Sequence, residues 1–469
     1  MIVITNEITY EKRIRMIDKI VNSSYQTIEK IGNSRIYSGL NNDTGAVAQI
    51  PGIIIGFTSN ILTLLFCLVY LLTKSIAAFV ASFCVIALNC FIGYITSRVT
   101  SKYWEKNRDI QDIYFAQMTD LVYGFKELVL NKLRKIAFWR DMEKYSRLSA
   151  ELSKEAAIKF LNLRLYNTLT YNTIFGVIVF GFPLVIIGIS VNDLRETLFM
   201  VFYLIGPFGT IMGLIPGITQ IRVNLKRINK LICDLEGSNE NNELISKIST
   251  LPKKIKIQFD NVNYSYVMKD EATGEENMEF KLGPIDIELS TAEITFIISG
   301  NGSGKSTLGK LVTGLYAPQN GRILVNGKEC SLVELNECFS AVFSDFYLFK
   351  KLYGVEMASR EYELRELLRL MKLDKKVEVD ENGEFKSLNL STGQKKRLAY
   401  IVCCLDQKPF MLFDEWAAEQ DPEFRKYFYT ELLPKLKEKG KGVIVITHDD
   451  RYFDLADKMI KLERGVIIQ

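Results

Sequence analysis

Four long stretches in the first half of the chain contain no charged side chain: residues 44–73, 75–97, 165–192 and 197–221. A helix needs roughly 20 residues to cross about 30 Å of hydrocarbon, and each stretch is longer than that. Buried core helices are the alternative, but only Lys74 and the polar cluster 193–196 separate the members of each pair, which fits two hairpins across a bilayer better. The pattern therefore predicts spans at about 52–72, 76–97, 172–192 and 197–217.

A polar stretch rich in lysine and arginine, residues 98–164, separates the two predicted hairpins. Cytoplasmic loops of membrane proteins carry an excess of these two residue types. We therefore expect cytoplasmic helices over 98–165, with both chain ends on that side of the membrane. The predicted spans contain no ionisable Asp, Glu, Lys or Arg side chain, which argues against a proton- or sodium-coupled carrier, because such carriers bury ionisable relays.

The pattern changes after a polar segment at 236–250, beyond which short β-rich runs alternate with helical segments. Such alternation is typical of an α/β domain. The sequence thus predicts an α-helical transmembrane bundle over 1–235, a linker over 236–250 and an α/β domain over 251–469.

Composition agrees with this division, since 48% of residues are apolar while 24% are charged. The net charge of +4 gives no field that would indicate a nucleic-acid partner. Eight cysteines are scattered through apolar runs and the α/β half, with neither a disulfide framework nor a zinc spacing.

The predicted strand "EITFIIS" leads directly into "SGNGSGKST", residues 299–307. Glycines there let backbone N–H groups surround phosphate, Lys305 reaches the β- and γ-phosphate oxygens, and Ser306 offers a hydroxyl to Mg²⁺. Serine stands at 299, where the strict pattern has glycine, but the flanking strand and helix favour a phosphate loop over a simple glycine-rich turn. Its predicted ATP-binding residues are Gly300, Asn301, Gly302, Ser303, Gly304, Lys305, Ser306 and Thr307.

A second apolar strand, "PFMLFDEW", ends in two carboxylates about a hundred residues after the phosphate loop. Asp414 is predicted to bind Mg²⁺ together with Ser306, and Glu415 to orient or deprotonate an attacking water. An apolar strand that ends in Asp-Glu is common by itself, but in a chain that also has a phosphate loop it indicates a nucleotide-hydrolysing site.

The string "NLSTGQKKR", residues 389–397, read alone predicts a serine N-cap followed by exposed basic residues. Together with the phosphate loop and the paired carboxylates it resembles the ATP-binding-cassette family, whose signature is LSGGQ, with threonine replacing one glycine. The resemblance implies that Ser391, Gly393 and Gln394 of one subunit close over ATP held by another, so two cassettes work together, and a homodimer is expected.

The same resemblance gives three further residues a role. His448, the only histidine in the chain, follows the strand "GVIVIT" at the position of the family's switch histidine beside the γ-phosphate. Tyr266 is expected to stack on adenine, with Tyr264 as the second candidate, and Asp421 matches the family's D-loop. The predicted catalytic residues are thus Glu415, His448 and Lys305.

One position departs from the family, because serine stands at 344 where a glutamine usually links the metal site to the membrane domain. Ser344 is too short to span the same gap, so we expect Asp345 or a water to substitute for it.

Several longer segments, among them "GFKELVLNK" (124–132) and "THDDRYFDLADKMIKLERG" (447–465), resemble a narrower branch, the exporters of cyclic peptides and siderophores such as pyoverdine, syringomycin and microcin. This resemblance implies an ATP-hydrolysing exporter subunit for a peptide-like molecule in the bacterial inner membrane, with its cassette in the cytoplasm. Members of the family have six spans, and the first hairpin is expected to be missing here. A misassigned start, a disrupted gene or a true four-span subunit would each explain that, and the alternative function is a nucleotide-binding subunit that is inactive alone or regulates a complete partner.

Overall fold

The computed structural model describes residues 2–176, 180, 191–236, 254–269, 276–300 and 302–468. The chain divides into two compact units, Met1–Asn242 and Glu243–Gln469. Asn301, most of the predicted span at 172–192 and all but the first residue of the predicted linker lie outside the described residues.

The first unit is helical. Its helices are α1 (Ile2–Val21), α2 (Tyr25–Ile31), α3 (Asn33–Ser38), α4 (Thr44–Val47), α5 (Ile50–Lys74), α6 (Ile76–Tyr123), α7 (Phe125–Leu130), α8 (Lys132–Gly176) and α9 (Val191–Glu236), with a π-helical turn at Gly39–Asp43. Within the described part of the chain, three helical segments are long and apolar enough to cross a membrane: Ile50–Lys74, Ala78–Tyr123 and Arg195–Glu236. These segments contain the predicted spans at 52–72 and 197–217 and nearly all of the one at 76–97.

Helix α6 is much longer than a membrane span. Its 48 residues extend about 72 Å at 1.5 Å per residue. The predicted span at 76–97 and the polar segment that follows are therefore one continuous helix, because a helix satisfies its own backbone hydrogen bonds equally well in lipid and in water. Helix α9 likewise continues past residue 217 to Glu236, and it contains both Pro207 and Pro216.

The apolar helices pack through one buried cluster that includes Leu71, Ala78, Leu204 and Phe208. Closer to the polar ends of α6 and α9, the hydroxyls of Ser97 and Thr219 lie 2.7 Å apart. Since hydrocarbon offers no competing hydrogen-bond partner, such a hydroxyl pair helps to hold the two helices in register.

The N-terminal helices pack against the end of α9. Met16, Val47, Ile228 and Leu231 form a separate buried cluster, and Arg35 forms an ion pair of 2.8 Å with Asp234. Helix α1 is not among the described helices that are long and apolar enough to cross a membrane.

The second unit is built on two sheets. Its strands are β1 (Lys256–Lys269), β2 (Glu276–Ser290), β3 (Ile294–Ser299), β4 (Asn320–Val325), β5 (Lys328–Glu329), β6 (Phe339–Val342), β7 (Phe410–Asp414), β8 (Gly442–Ile446), β9 (Lys458–Glu463) and β10 (Val466–Ile467). One sheet has the order β2-β1-β4-β5 and its strands are antiparallel. The other has the order β10-β9-β3-β8-β7-β6 and is parallel except for β10.

Helices cover the parallel sheet: α10 (Lys305–Val312), α11 (Leu332–Glu337), α12 (Met357–Leu370), α13 (Thr392–Leu405), α14 (Pro422–Tyr427) and α15 (Leu433–Glu438). Strands β7 and β8 are buried along their whole length. They read as uninterrupted apolar runs because a parallel sheet is covered on both faces.

Candidate nucleotide-binding site

Three neighbouring strands of the parallel sheet bring the predicted motifs together. Ile446 of β8 pairs with Ile297 of β3 on one side and with Asp414 of β7 on the other. The phosphate loop follows β3, Glu415 follows β7 and His448 follows β8. Because parallel strands end at one edge of their sheet, these residues meet there, where open α/β sheets bind ligands.

The phosphate loop takes the left-handed backbone conformation at two glycines, Gly302 with φ 76° and Gly304 with φ 101°. Gly300 does not. A Cβ at Gly304 would also lie 2.6 Å from the ring of Phe280. Residue 304, directly before α10, must therefore be glycine for two reasons: its backbone conformation and the lack of space for a Cβ.

Ser299, which replaces the first glycine of the strict pattern, takes part in the loop's own hydrogen bonding. Its hydroxyl contacts the hydroxyl of Ser303, which donates to the Gly300 carbonyl at 2.8 Å. The Ser303 carbonyl in turn accepts from the amide of Gly465 at 3.1 Å. These bonds hold the loop internally and tie it to the turn between β9 and β10.

Lys305, Glu415 and His448 form a cluster beside the loop. The Lys305 ammonium contacts His448 Nε2 and lies 3.5 Å from Glu415 Oε1, while His448 Nε2 is 3.3 Å from the same oxygen. An ammonium has no lone pair, so it can only donate, and a neutral imidazole offers it one unprotonated ring nitrogen as acceptor. Lys305 therefore bridges the imidazole and the carboxylate.

Glu415 lies in a left-handed backbone conformation, with φ 49° and ψ 34°. Its amide donates to the Ile446 carbonyl at 3.0 Å, and its carbonyl accepts from Lys396 Nζ at 2.9 Å. Few non-glycine residues adopt this conformation, and they tend to occur at functional sites, where surrounding contacts hold them.

Asp414 is buried beside two serines. Its Oδ2 is 3.3 Å from Ser306 Oγ, and Ser344 lies nearby. Burial raises the pKa of Asp414, an effect that the backbone N–H of Ser344 partly opposes. Both Ser344 and its neighbour Asp345 lie exposed at the surface.

These oxygens suit a hard cation. Mg²⁺ prefers carboxylate, hydroxyl, phosphate and water oxygens, and commonly takes only one or two protein ligands beside a nucleotide. No group of three or more His, Cys, Asp or Glu residues that could hold a metal occurs within the described ranges. A site made from the Ser306 hydroxyl and the buried Asp414 carboxylate therefore fits Mg²⁺ that is shared with phosphate.

The two tyrosines proposed for adenine differ in environment. Tyr264 is buried, and its ring stacks on Tyr316 with centroids 4.8 Å apart. Tyr266 is only half-buried, its hydroxyl is 2.6 Å from that of Tyr316, and it pairs across β1 and β2 with Phe280. Since the ring of Phe280 lies on Gly304, Tyr266 stands near the phosphate loop, whereas the second candidate, Tyr264, is a core residue.

The signature string begins α13. Ser391 accepts from the Gln394 amide at 3.4 Å, and the Gln394 side chain accepts from the Ser391 amide at 3.2 Å, which forms a capping box. Of the basic residues that follow, Lys395 is exposed as the isolated string predicts, but Lys396 is buried.

The D-loop residue Asp421 caps the next helix. It accepts from the Phe424 amide at 2.9 Å and from Arg397 at 2.6 Å. The backbone bond is the main reason why the pKa of this carboxyl is lowered. Its neighbour Gln420 donates to the Gly393 carbonyl at 3.0 Å, so the D-loop and the signature are joined within one subunit.

Sequence reasoning missed two contributors to the site. Lys396 belonged to a basic run that is typical of surface, and Gln420 carried no motif. No local signal distinguishes them, because their partners, Glu415 and Gly393, lie far away along the chain.

Comparison with known proteins identifies the family. The chain is 31% identical to the ATP-binding protein SyrD of Pseudomonas syringae pv. syringae, over 97% of this chain and 81% of that protein. The chain belongs to the ATP-binding-cassette exporter family. Residues 282–418 also match the ABC transporter family.

Two further similarities agree with this assignment. A probable ABC transporter ATP-binding/permease protein of Haemophilus influenzae is 24% identical over 88% of this chain and 74% of that protein. The structure of a bacterial Atm1-family ABC exporter with ATP bound superposes with a TM-score of 0.82 at 16% identity, covering 99% of this chain and 82% of that one. At this identity the superposition shows the fold alone.

The predicted fold class is thereby confirmed: helices of a membrane region precede an α/β nucleotide-binding domain. This ATP-binding-cassette exporter is a multi-pass membrane protein with a cytoplasmic ATP-binding domain, and it couples ATP hydrolysis to transport. The relatives do not favour the alternative of an inactive or regulatory subunit. The number of spans, the narrower branch and the roles of individual site residues stay predictions.

Proposed function

We propose that this cassette exporter moves a peptide-like or siderophore-like molecule out of the cytoplasm across the bacterial inner membrane, and that it works as a homodimer whose two cassettes enclose ATP. The substrate class is supported by the resemblance of segments such as 124–132 and 447–465 to exporters of such molecules. The proposed organisation has a transmembrane domain over 1–235, a linker over 236–250 and the cassette over 251–469.

One observation carries the proposal: Lys305, Glu415 and His448 converge at the sheet edge where the phosphate loop ends. In the proposed reaction, Glu415 accepts a proton from the attacking water while the Lys305 ammonium turns from the imidazole toward the phosphate oxygens. A neutral imidazole at His448 would donate its ring N–H to a phosphate oxygen. These groups are already in place, which is how preorganised electrostatics lowers a barrier.

The remaining predicted residues would bind the nucleotide. The ring of Tyr266 would stack on adenine, while Gly300, Asn301, Gly302, Ser303, Gly304 and Thr307 would surround the phosphates. Ser391, Gly393 and Gln394 at the start of α13 would approach the ATP of the partner subunit, since a helix N-terminus favours anionic groups.

Ser306 and Asp414 would hold Mg²⁺ between them. When bound there, the cation neutralises charge on the β- and γ-phosphates. The raised pKa of Asp414 reflects a buried carboxylate, a group whose ionised form is stabilised by a nearby cation.

The test is Glu415→Gln in the full-length protein reconstituted in lipid nanodiscs. Glutamine keeps the side chain's size but accepts no proton, so we expect ATP to bind with unchanged affinity while turnover falls by at least 100-fold, the lower range for loss of a general base. Glu423→Gln, an exposed carboxylate on α14, is the matched control and should keep wild-type turnover. Normal hydrolysis by Glu415→Gln would contradict the assignment.

A further inference from the structure

Lys396 is a buried lysine in a place where the sequence suggests surface. Its side chain is 2% exposed, while the preceding Lys395 is open to solvent. A buried ammonium is costly unless it is hydrogen-bonded and paired. The Lys396 Nζ donates to the Glu415 carbonyl at 2.9 Å and lies 3.6 Å from Glu419 Oε1. Both partners belong to the segment that directly follows β7.

The hydrogen bond from Lys396 acts on the peptide group that determines where the Glu415 side chain points. Glu415 is left-handed, and its amide is anchored to the Ile446 carbonyl. With the amide held by β8 and the carbonyl held by Lys396, the peptide planes on both sides of the Glu415 Cα are fixed. The Cα–Cβ direction follows from those two planes, so the carboxylate is kept near Lys305 and His448.

A second hydrogen bond runs in the opposite direction. Trp416 Nε1 donates to the Lys396 carbonyl at 2.8 Å, and the Trp416 ring is buried and stacked on Phe428 with centroids 4.4 Å apart. Residues 415 and 416 are thus joined to residue 396 by two hydrogen bonds. Because the indole is held by the core, α13 and the segment after β7 cannot shift independently without breaking one of these bonds.

We propose that Lys396 is a positioning residue for ATP hydrolysis, which holds the Glu415 carbonyl and thereby keeps the Glu415 carboxylate aligned with Lys305 and His448. Lys396 touches neither nucleotide nor metal in this arrangement, and it acts through Glu415. It lies one turn into the helix that begins at Ser391. This step rests on the proposed function, in which the N-terminus of α13 contacts the ATP bound by the partner subunit. Lys396 then also connects the Glu415 carboxylate of one ATP site to the binding of ATP at the other site.

The experiment compares Lys396→Met with Lys395→Met in the full-length protein in nanodiscs. Methionine keeps an unbranched side chain of similar length and removes the donor. Loss of a charged hydrogen bond at the reacting geometry should lower kcat by roughly 10- to 100-fold. The KM for ATP should stay within about twofold, because binding contacts are untouched. Lys395→Met should match wild type in both constants.

Two further variants separate positioning from folding. Lys396→Gln retains a donor that is one bond closer to the backbone and should recover part of the lost kcat. Trp416→Phe keeps the aromatic stacking on Phe428 but removes the indole N–H, so it should lower kcat in the same direction by a smaller factor, again with little change in KM.

Each result of these experiments either supports or overturns the positioning role of Lys396. If Lys396→Met folds and has the same kcat as Lys395→Met, the proposal is overturned. It is also overturned if the affinity for ATP falls by the same factor as kcat, since that would indicate a binding or structural role. If Lys396→Met fails to fold, Trp416→Phe replaces it, and wild-type kcat in that variant overturns the proposal. Absence of ATPase activity in the wild type, or activity in Glu415→Gln, would instead count against the proposed function.

Discussion

Gly465 offers a sharp test of how the phosphate loop is supported. It lies in the turn between β9 and β10 with φ 80°, and an added Cβ would be 2.1 Å from the Lys281 carbonyl oxygen of β2. The Gly465 amide donates to the Ser303 carbonyl at 3.1 Å, and its carbonyl accepts from the Gly283 amide at 2.7 Å. A single glycine therefore connects the phosphate loop to β2, and Gly465→Ala must disturb both ends of that connection.

The cost of Gly465→Ala follows from two separate effects. A left-handed backbone costs a non-glycine residue about 1–2 kcal/mol. The turn must also move by about 1 Å to relieve the contact with β2, which weakens two hydrogen bonds that are each worth about 0.5–1.5 kcal/mol. We expect a total loss of about 2–5 kcal/mol in stability. The part that involves Ser303 should appear as a roughly 2- to 10-fold weaker affinity for ATP.

Gly440→Ala is the matched control. Gly440 has φ 79°, nearly the value at Gly465, but nothing lies within 4 Å of an added Cβ. This variant should therefore lose only the backbone contribution of about 1–2 kcal/mol and keep wild-type ATP affinity. The assay is thermal unfolding of the full-length protein with and without Mg·ATP, at one scan rate, together with the KM of ATP hydrolysis. Equal melting temperatures and equal KM values in the two variants would refute the reasoning.

Three other experiments test further residues of the chain. The raised pKa of Asp414 means that the folded protein holds this proton to a higher pH than the unfolded chain does, so the protein loses stability as pH rises through the folded-state pKa. Asp414→Asn should therefore raise the melting temperature in EDTA above pH 7 yet abolish stabilisation by Mg·ATP. A lower melting temperature in EDTA would contradict this. Tyr429→Phe removes a buried hydroxyl 2.7 Å from Thr447 Oγ1 and should cost about 1–2 kcal/mol; an unchanged melting temperature would show that the pair contributes nothing. Alkylation at pH 7.5 should modify the exposed Cys233 before Cys338, which is buried and whose pKa burial raises to about 11; mass spectrometry of peptides would reveal the opposite order.

The sequence was sufficient to locate the motifs that consist of contiguous residues. The phosphate loop, the Asp414-Glu415 pair and the strand before His448 could all be located because each combines an apolar β run with polar residues at its end. The strand ends then meet by the geometry of a parallel sheet. The long apolar helices that contain the predicted spans at 52–72 and 197–217 were recognisable for a similar reason, since a bilayer requires a charge-free run of about 20 residues.

The sequence was not sufficient where one local pattern is compatible with two different structures. The sequence predicted a span at 76–97 and cytoplasmic helices over 98–165, and it did not show that one helix, α6, continues from the first into the second, which is possible because a helix satisfies its own backbone hydrogen bonds in lipid and in water. Tyr264 and Tyr266 occupy the same face of β1 by the period of two, and only their packing against Tyr316 makes the first a core residue and leaves the second half-exposed.

The sequence by itself determined the family, the division into a membrane helical half and an ATP-binding half, and the order of the motifs predicted to bind ATP, because periodicity and motif spacing are local properties of the chain. Only the tertiary structure decided that Gly465 supports Ser303 and that Lys396 holds Glu415. These contacts join residues far apart along the chain, and whether a lysine or a glycine belongs to the surface or to the site depends on what the fold packs against it.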